Sequence, residues 1–230
     1  MADREAFLRH IREQAARGRS YRVALNPDAT EKQSYVGGGP DKVATLLAEW
    51  QAVGGRGARV TGEQAARAHL SALLAEWGTR RVVHWEHPLL SHLDVPGVCQ
   101  AAGAQVRNWA ELASASPDRR WPDAFAADLG ITSVDYAIAE TGSLALFSQA
   151  SQGRVVSLLP PRALAIVEPG QILPDLFDLF TQLESRKSEL PSNMVLVTGP
   201  SKTGDIELKL TTGVHGPGEV YLLVVEPTAG

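Results

Sequence analysis

The sequence predicts an α/β protein whose parallel sheet is covered by helices, and three observations carry that prediction. From Asp41 onward, apolar stripes at helical spacing alternate with short apolar runs at strand spacing. The second half is richer in strand-type runs, ending in the apolar "EVYLLVVE" (Glu219 to Glu226). The chain has 230 residues, 44% of them hydrophobic, enough to bury a large core.

In order along the chain, Asp3 as N-cap, the stripe Phe7, Leu8, Ile11 and Ala15, and the stop at Gly18 predict an arginine-rich amphipathic helix. Tyr21 to Pro40 lacks a sustained period and is rich in turn formers, so it reads as a long loop or arm. Residues 1–40 are therefore expected to form an N-terminal helix and arm, and residues 41–230 the α/β domain.

Within that domain, Val43, Leu46, Leu47, Trp50 and Val53 mark a helix stopped by Gly54-Gly55, and an "ARVTG" strand follows. A helix from Glu63 to Trp77 precedes a strand over Arg80 to Trp85. "SVDYAIAETGSLALFS" has two apolar runs broken at Glu140-Thr141-Gly142, and "GRVVSLLP" and "RALAIVEP" are expected to add two more strands. Pro174 to Arg186 reads as an amphipathic helix using Leu176, Phe177, Leu179, Phe180 and Leu183. "NMVLVTGPS" reads as a buried strand.

Composition narrows the function. A formal net charge of −4, with no basic stripe, argues against nucleic-acid binding, which rests on neutralising phosphates. The single cysteine, Cys99, excludes an internal disulfide framework, a four-cysteine zinc site and an internally ligated iron–sulfur cluster. The charged N-terminus is unlike a signal peptide and no apolar run is long enough to cross a bilayer, so a soluble, cytoplasmic protein with no membrane partner is expected.

Four groups of residues could carry chemistry. Gly199 and Gly204 have P-loop spacing, but Asp205-Ile206 stands where a lysine and a hydroxyl residue are required. What survives is a strand-to-helix turn whose N–H groups, with Ser201, Lys202 and Thr203, suit a small anion; a simple capped turn explains the residues equally. Glu140 interrupts an apolar context beside Thr141, Gly142 and Ser143, and is either an acid or base or a hairpin residue facing water. His215 lies between Gly213 and Gly216 in a loop that a ligand can approach closely, and a histidine there can serve as acid, base or ligand. His84, Glu86, His87, His92 and Asp94 are metal ligands by type but need not converge on one ion, and no metal is assigned.

"AETGSLAL", then "VVSLLPPRALAIVEPGQILPDLFDLF", "GPSKTGDIE" and "GVHGPGEVYLLVVE", in this order, resemble the LUD (lactate utilization) domain family over about the last hundred residues. The resemblance implies a Rossmann-related sheet similar to the sugar-phosphate isomerase and CoA-transferase superfamily. It also implies a part in oxidising L-lactate to pyruvate, alongside partner proteins that carry the iron–sulfur clusters, with no cofactor in this chain. Lys202 stands where arginine is expected to be common, and arginine would hold a carboxylate bidentately. The resulting expectation makes Glu140 and His215 catalytic and holds a small anionic ligand where the C-terminal ends of sheet strands meet the loops of Thr141, Gly142 and Ser143 and of Ser201 to Asp205, with Lys202, Thr203, Asp205, Gly213 and Gly216 among the ligand-binding residues. Two alternatives stay open: an isomerase- or acyl-transfer-type enzyme acting on a phosphorylated or CoA-linked substrate, and a non-catalytic assembly subunit docking through its N-terminal helix and arm.

Overall fold

The computed structural model describes residues 4–18, 37–187, 190–203 and 211–228. They belong to two compact units, Met1–Val36 and Gly37–Gly230. In the first, α1 (Arg4–Gly18) is the predicted amphipathic helix, with Phe7 and Ile11 of its apolar stripe exposed. Most of the expected arm lies outside the described residues.

The second unit opens with α2 (Lys42–Ala52), where Asp41 accepts the N–H groups of Val43 and Ala44. β1 (Arg56–Thr61), α3 (Glu63–Trp77) and β2 (Arg81–His84) follow as the apolar periodicity dictates. Four helices surround β3 (Gln105–Asn108): α4 (Pro88–His92) and α5 (Val95–Ala101) before it, α6 (Trp109–Ser114) and α7 (Pro117–Phe125) after it. Three of these four helices have seven residues or fewer, too short for a helical stripe to declare itself in the sequence. β4 (Leu129–Thr132) precedes the hairpin β5 (Tyr136–Ile138) and β6 (Ser143–Phe147).

"GRVVSLLP", expected as a strand, holds instead the single helical turn α8 (Val155–Leu158). Its buried Val156 and Ser157 pack that turn against β4 and β7 (Arg162–Val167), so β-propensity yields to tertiary burial. After β8 (Ile172–Leu173), α9 (Leu176–Ser185) begins at its N-cap Asp175. β9 (Met194–Val197), β10 (Lys202–Thr203), β11 (Thr211–Thr212) and β12 (Glu219–Glu226) complete the described elements.

Six strands form an all-parallel sheet in the order β1-β12-β7-β4-β2-β3. β12 lies inside it, and Val220 to Val225 are all buried, which is why its sequence reads as one unbroken apolar run. A smaller mixed sheet, β8-β5-β6-β9, faces it. α9 packs on that sheet's outer face through Leu176, Leu179 and Leu183, whereas Phe177 and Phe180, expected among its packing residues, are exposed. β9 is an edge strand that alternates exposed and half-buried residues, correcting the expectation of a buried strand.

Helix α2 links the two sheets. It packs against β1 and β12 of the parallel sheet and β8 of the smaller one. Lys42 Nζ donates to the Ile172 carbonyl at 2.7 Å, and Trp50 Nε1 donates to the Arg56 carbonyl at 2.9 Å.

Candidate functional site

The inner face of the smaller sheet does not close fully on the parallel sheet. Between them lies a cavity of about 210 Å³. Leu144 and Leu146 of β6 with Val195 and Val197 of β9 form one wall, and Ala163, Ala165 and Val220 form the other. Pairing places Val220 beside Ala163, so these small side chains share one sheet face. The next residue of β12, Tyr221, sends its ring to the opposite face, where it meets His69 and Trp77 of α3. Small residues on β7 therefore leave the space that larger ones would fill.

The lining residues with polar side chains are Thr132, Ser157, Thr198, Ser201 and His215, with Trp50 and Tyr221 also in the lining. Among the described residues, none that lines it is Asp, Glu, Lys or Arg. Ser201, His215 and Gly216 are thus brought together as the sequence suggested. Their arrangement depends on backbone bonds: Ser201 N–H donates to the Pro217 carbonyl at 2.9 Å, and Gly213 N–H donates to the Ser201 carbonyl at 3.0 Å. Gly213 has φ +81°, a conformation that favours glycine, and opens the turn carrying exposed His215.

That geometry corrects one expectation. The segment after Gly199 enters β10, which pairs antiparallel with β11, so Ser201 to Thr203 form no strand-to-helix turn. The Ser201 N–H is also already occupied. Further, the His215 loop leads into the N-terminal end of β12, where Gly218 N–H donates to the Pro161 carbonyl just before β7. In the parallel sheet this is the N-terminal edge, whereas Thr141 follows the C-terminal end of β5 and Ser201 that of β9 in the smaller sheet. The expectations at Gly204 and Asp205 lie outside the described residues.

Lys202 is placed elsewhere. Its exposed ammonium donates to the Val53 carbonyl at 2.6 Å, at the C-terminal cap of α2, where a cation complements the helix dipole. Thr203 pairs with Thr211 in the short ribbon. Glu140 is half-buried, its N–H donates to the Pro174 carbonyl at 3.0 Å, and it is not among the residues lining the cavity.

The neighbours of Glu140 do connect to the cavity. Thr141 Oγ1 donates to Ser143 Oγ at 2.8 Å, and Ser143 Oγ lies 2.7 Å from Thr198 Oγ1, itself in the cavity wall. A row of three hydroxyls thus runs from the hairpin turn to the cavity. Gly142, with φ +60°, permits the turn to press on α2: a Cβ there would stand 2.6 Å from the Trp50 nitrogen. Sequence reasoning found the E-T-G-S turn but missed Thr198, Ser157 and the aliphatic walls. Only the pairing of β6 with β9 brings Thr198 to Ser143, across 55 positions of sequence.

The histidine and acid cluster disperses. His84 Nδ1 lies 2.8 Å from the Trp85 carbonyl, His92 pairs with Glu63 at 2.8 Å, and Asp94 caps α5. His87 caps α4, accepting the Leu89 N–H at Nδ1, and burial holds its pKa below the usual histidine value while Glu168 opposes the shift. Among the described residues, no three His, Cys, Asp or Glu side chains gather as metal ligands.

Comparison with known proteins places this geometry. The LUD domain profile matches residues 43–225. The chain belongs to the LUD domain family. Lactate utilization protein C of Halalkalibacterium halodurans is 30% identical over 229 residues, covering 97% of each chain. Lactate utilization protein C 1 of Bacillus mycoides is 30% identical over 238 residues, again covering 97% of each. A crystal structure of a DUF162 family protein from Deinococcus radiodurans matches with a TM-score of 0.53 at 21% identity, covering 81% of this chain and 99% of that one, which supports the fold. The LUD match includes both walls of the cavity and the His215 loop, and excludes α1.

Proposed function

We propose that this LUD protein is a component of a lactate utilization system, acting in the oxidation of L-lactate to pyruvate beside iron–sulfur proteins. The end-to-end similarity to lactate utilization protein C of H. halodurans carries the reading. The single cysteine fits that division of labour, since one thiolate does not hold a cluster and the partners would carry the electrons.

The cavity between the sheets is the ligand site in this proposal. His215 and Ser201 bind at its mouth, and Gly213 and Gly216 shape their loop. Glu140 is the acid or base at the outer end of the Thr141, Ser143 and Thr198 hydroxyls. A small anion at the Ser201 to Thr203 turn is the weaker part, because the Lys202 ammonium is held at Val53 and the Ser201 N–H is taken.

The test is growth on L-lactate of a strain lacking its own counterpart, complemented with the double variant Glu140→Ala/His215→Ala. Loss of growth with an unchanged melting temperature is expected. Normal growth would remove both residues from the mechanism. Co-purification of cysteine-rich partners with the wild-type chain tests the assembly, and their absence would leave the chain to act alone.

A further inference from the structure

We infer that the cavity between the two sheets takes an uncharged ring compound of the quinone class, rather than the carboxylate of lactate. The walls facing it are aliphatic, from Leu144 and Leu146 on one side to Ala163 and Ala165 on the other. No Asp, Glu, Lys or Arg lines it among the described residues. A carboxylate moved there would lose its hydration with no Lys or Arg among the described lining residues to compensate, at a cost that ordinarily excludes it. The nearby cation, Lys202, already donates to the Val53 carbonyl.

Size and polarity narrow the class further. At about 210 Å³ the space is smaller than a site for a drug-sized ligand, so it suits one or two fused rings. The hydroxyl of Ser201 and the imidazole of His215 have no hydrogen-bond partner among the described residues and stand where Gly216 shapes the mouth. Both can donate to a ring carbonyl oxygen. An apolar body with carbonyl acceptors at its edge matches this distribution.

Neutrality and size follow from the described lining of the cavity; the choice of a quinone among neutral rings rests on the lactate-oxidation reading above. Turning L-lactate into pyruvate releases two electrons and two protons, and turning a quinone into a hydroquinone consumes both.

The experiment titrates the purified full chain calorimetrically with 2-methyl-1,4-naphthoquinone, and separately with L-lactate. Saturable one-site binding of the naphthoquinone is expected, with a raised melting temperature and no response to L-lactate. Val195→Phe and Ala163→Leu fill the cavity from opposite walls, and each should weaken quinone binding at least tenfold while melting remains cooperative. Should one fail to fold, the other decides. His215→Ala should weaken binding several-fold. The inference is overturned if the quinone shows no saturable binding, if a folded filled variant binds it as the wild type does, or if L-lactate binds and filling the cavity abolishes that. Growth on L-lactate is scored separately: quinone binding without growth refutes the functional reading, and growth without quinone binding refutes this inference.

Discussion

Along β12 in the parallel sheet, six consecutive residues from Val220 to Val225 are buried; along β9 in the smaller sheet, Met194 and Leu196 remain about half exposed. The first strand has neighbours on both edges and covering on both faces, whereas the second is an edge strand with one inner face turned toward a cavity. The difference separates two duties. The parallel sheet concentrates apolar burial and so stability, and the incompletely packed seam against the smaller sheet leaves room for a ligand. Substitutions should therefore divide by location, with scaffold changes costing stability and seam changes costing function.

The largest effect is expected at the centre of the scaffold. Leu222 is fully buried, and Leu222→Ala should destabilise by about 3 kcal/mol or more in chemical denaturation, as for other core leucines. Leu196→Ala on β9, half exposed, should cost under about 1 kcal/mol. Equal losses would erase the contrast between the sheets. Next comes the junction: Gly142→Ala combines a positive φ with a close approach to α2, and a loss of about 2 kcal/mol is expected from such backbone strain.

Titration offers a finer probe. The lowered pKa of His87 means that the native state favours the neutral ring, which accepts the Leu89 N–H. Its contribution is present above the ordinary histidine range and is lost as pH falls through the depressed native value. His87→Asn preserves a capping acceptor without titrating, so it should flatten the stability loss below about pH 6.5, the ordinary histidine value. On the alkaline side, burial pushes the Cys99 thiol up to about 12. The folded chain should resist thiol reagents at pH 8 and lose stability as pH climbs from the ordinary thiol range toward 12, because the unfolded thiol ionises first. The smallest effect belongs to exposed Lys202: Lys202→Met removes a helix-end cation and should cost about 0.5 kcal/mol.

Long periodic segments were readable. α3 matches its sequence bounds because Leu70, Leu73, Leu74 and Trp77 keep helical spacing, and β12 matches because both its faces are apolar. α8 was not, since Val155-Val156-Ser157-Leu158 has strand propensity and turns helical through packing against β4 and β7. The same limit governs the site. The glycines flanking His215 signal a loop open to a ligand, but Thr198 beside Ser143 and the small residues of β7 opposite Leu146 depend on strand pairing. Lys202 shows the converse: its charge suggested an anion site, and only the position of Val53 reveals a helix cap.

The most direct test of the seam as the functional site is L-lactate-dependent growth of a strain lacking its own counterpart, complemented by Val195→Phe or by Lys202→Met. Both variants should fold and accumulate as the wild type does. The account predicts that the filled seam abolishes growth while loss of the Lys202 cation leaves it intact. Full growth with Val195→Phe would contradict it.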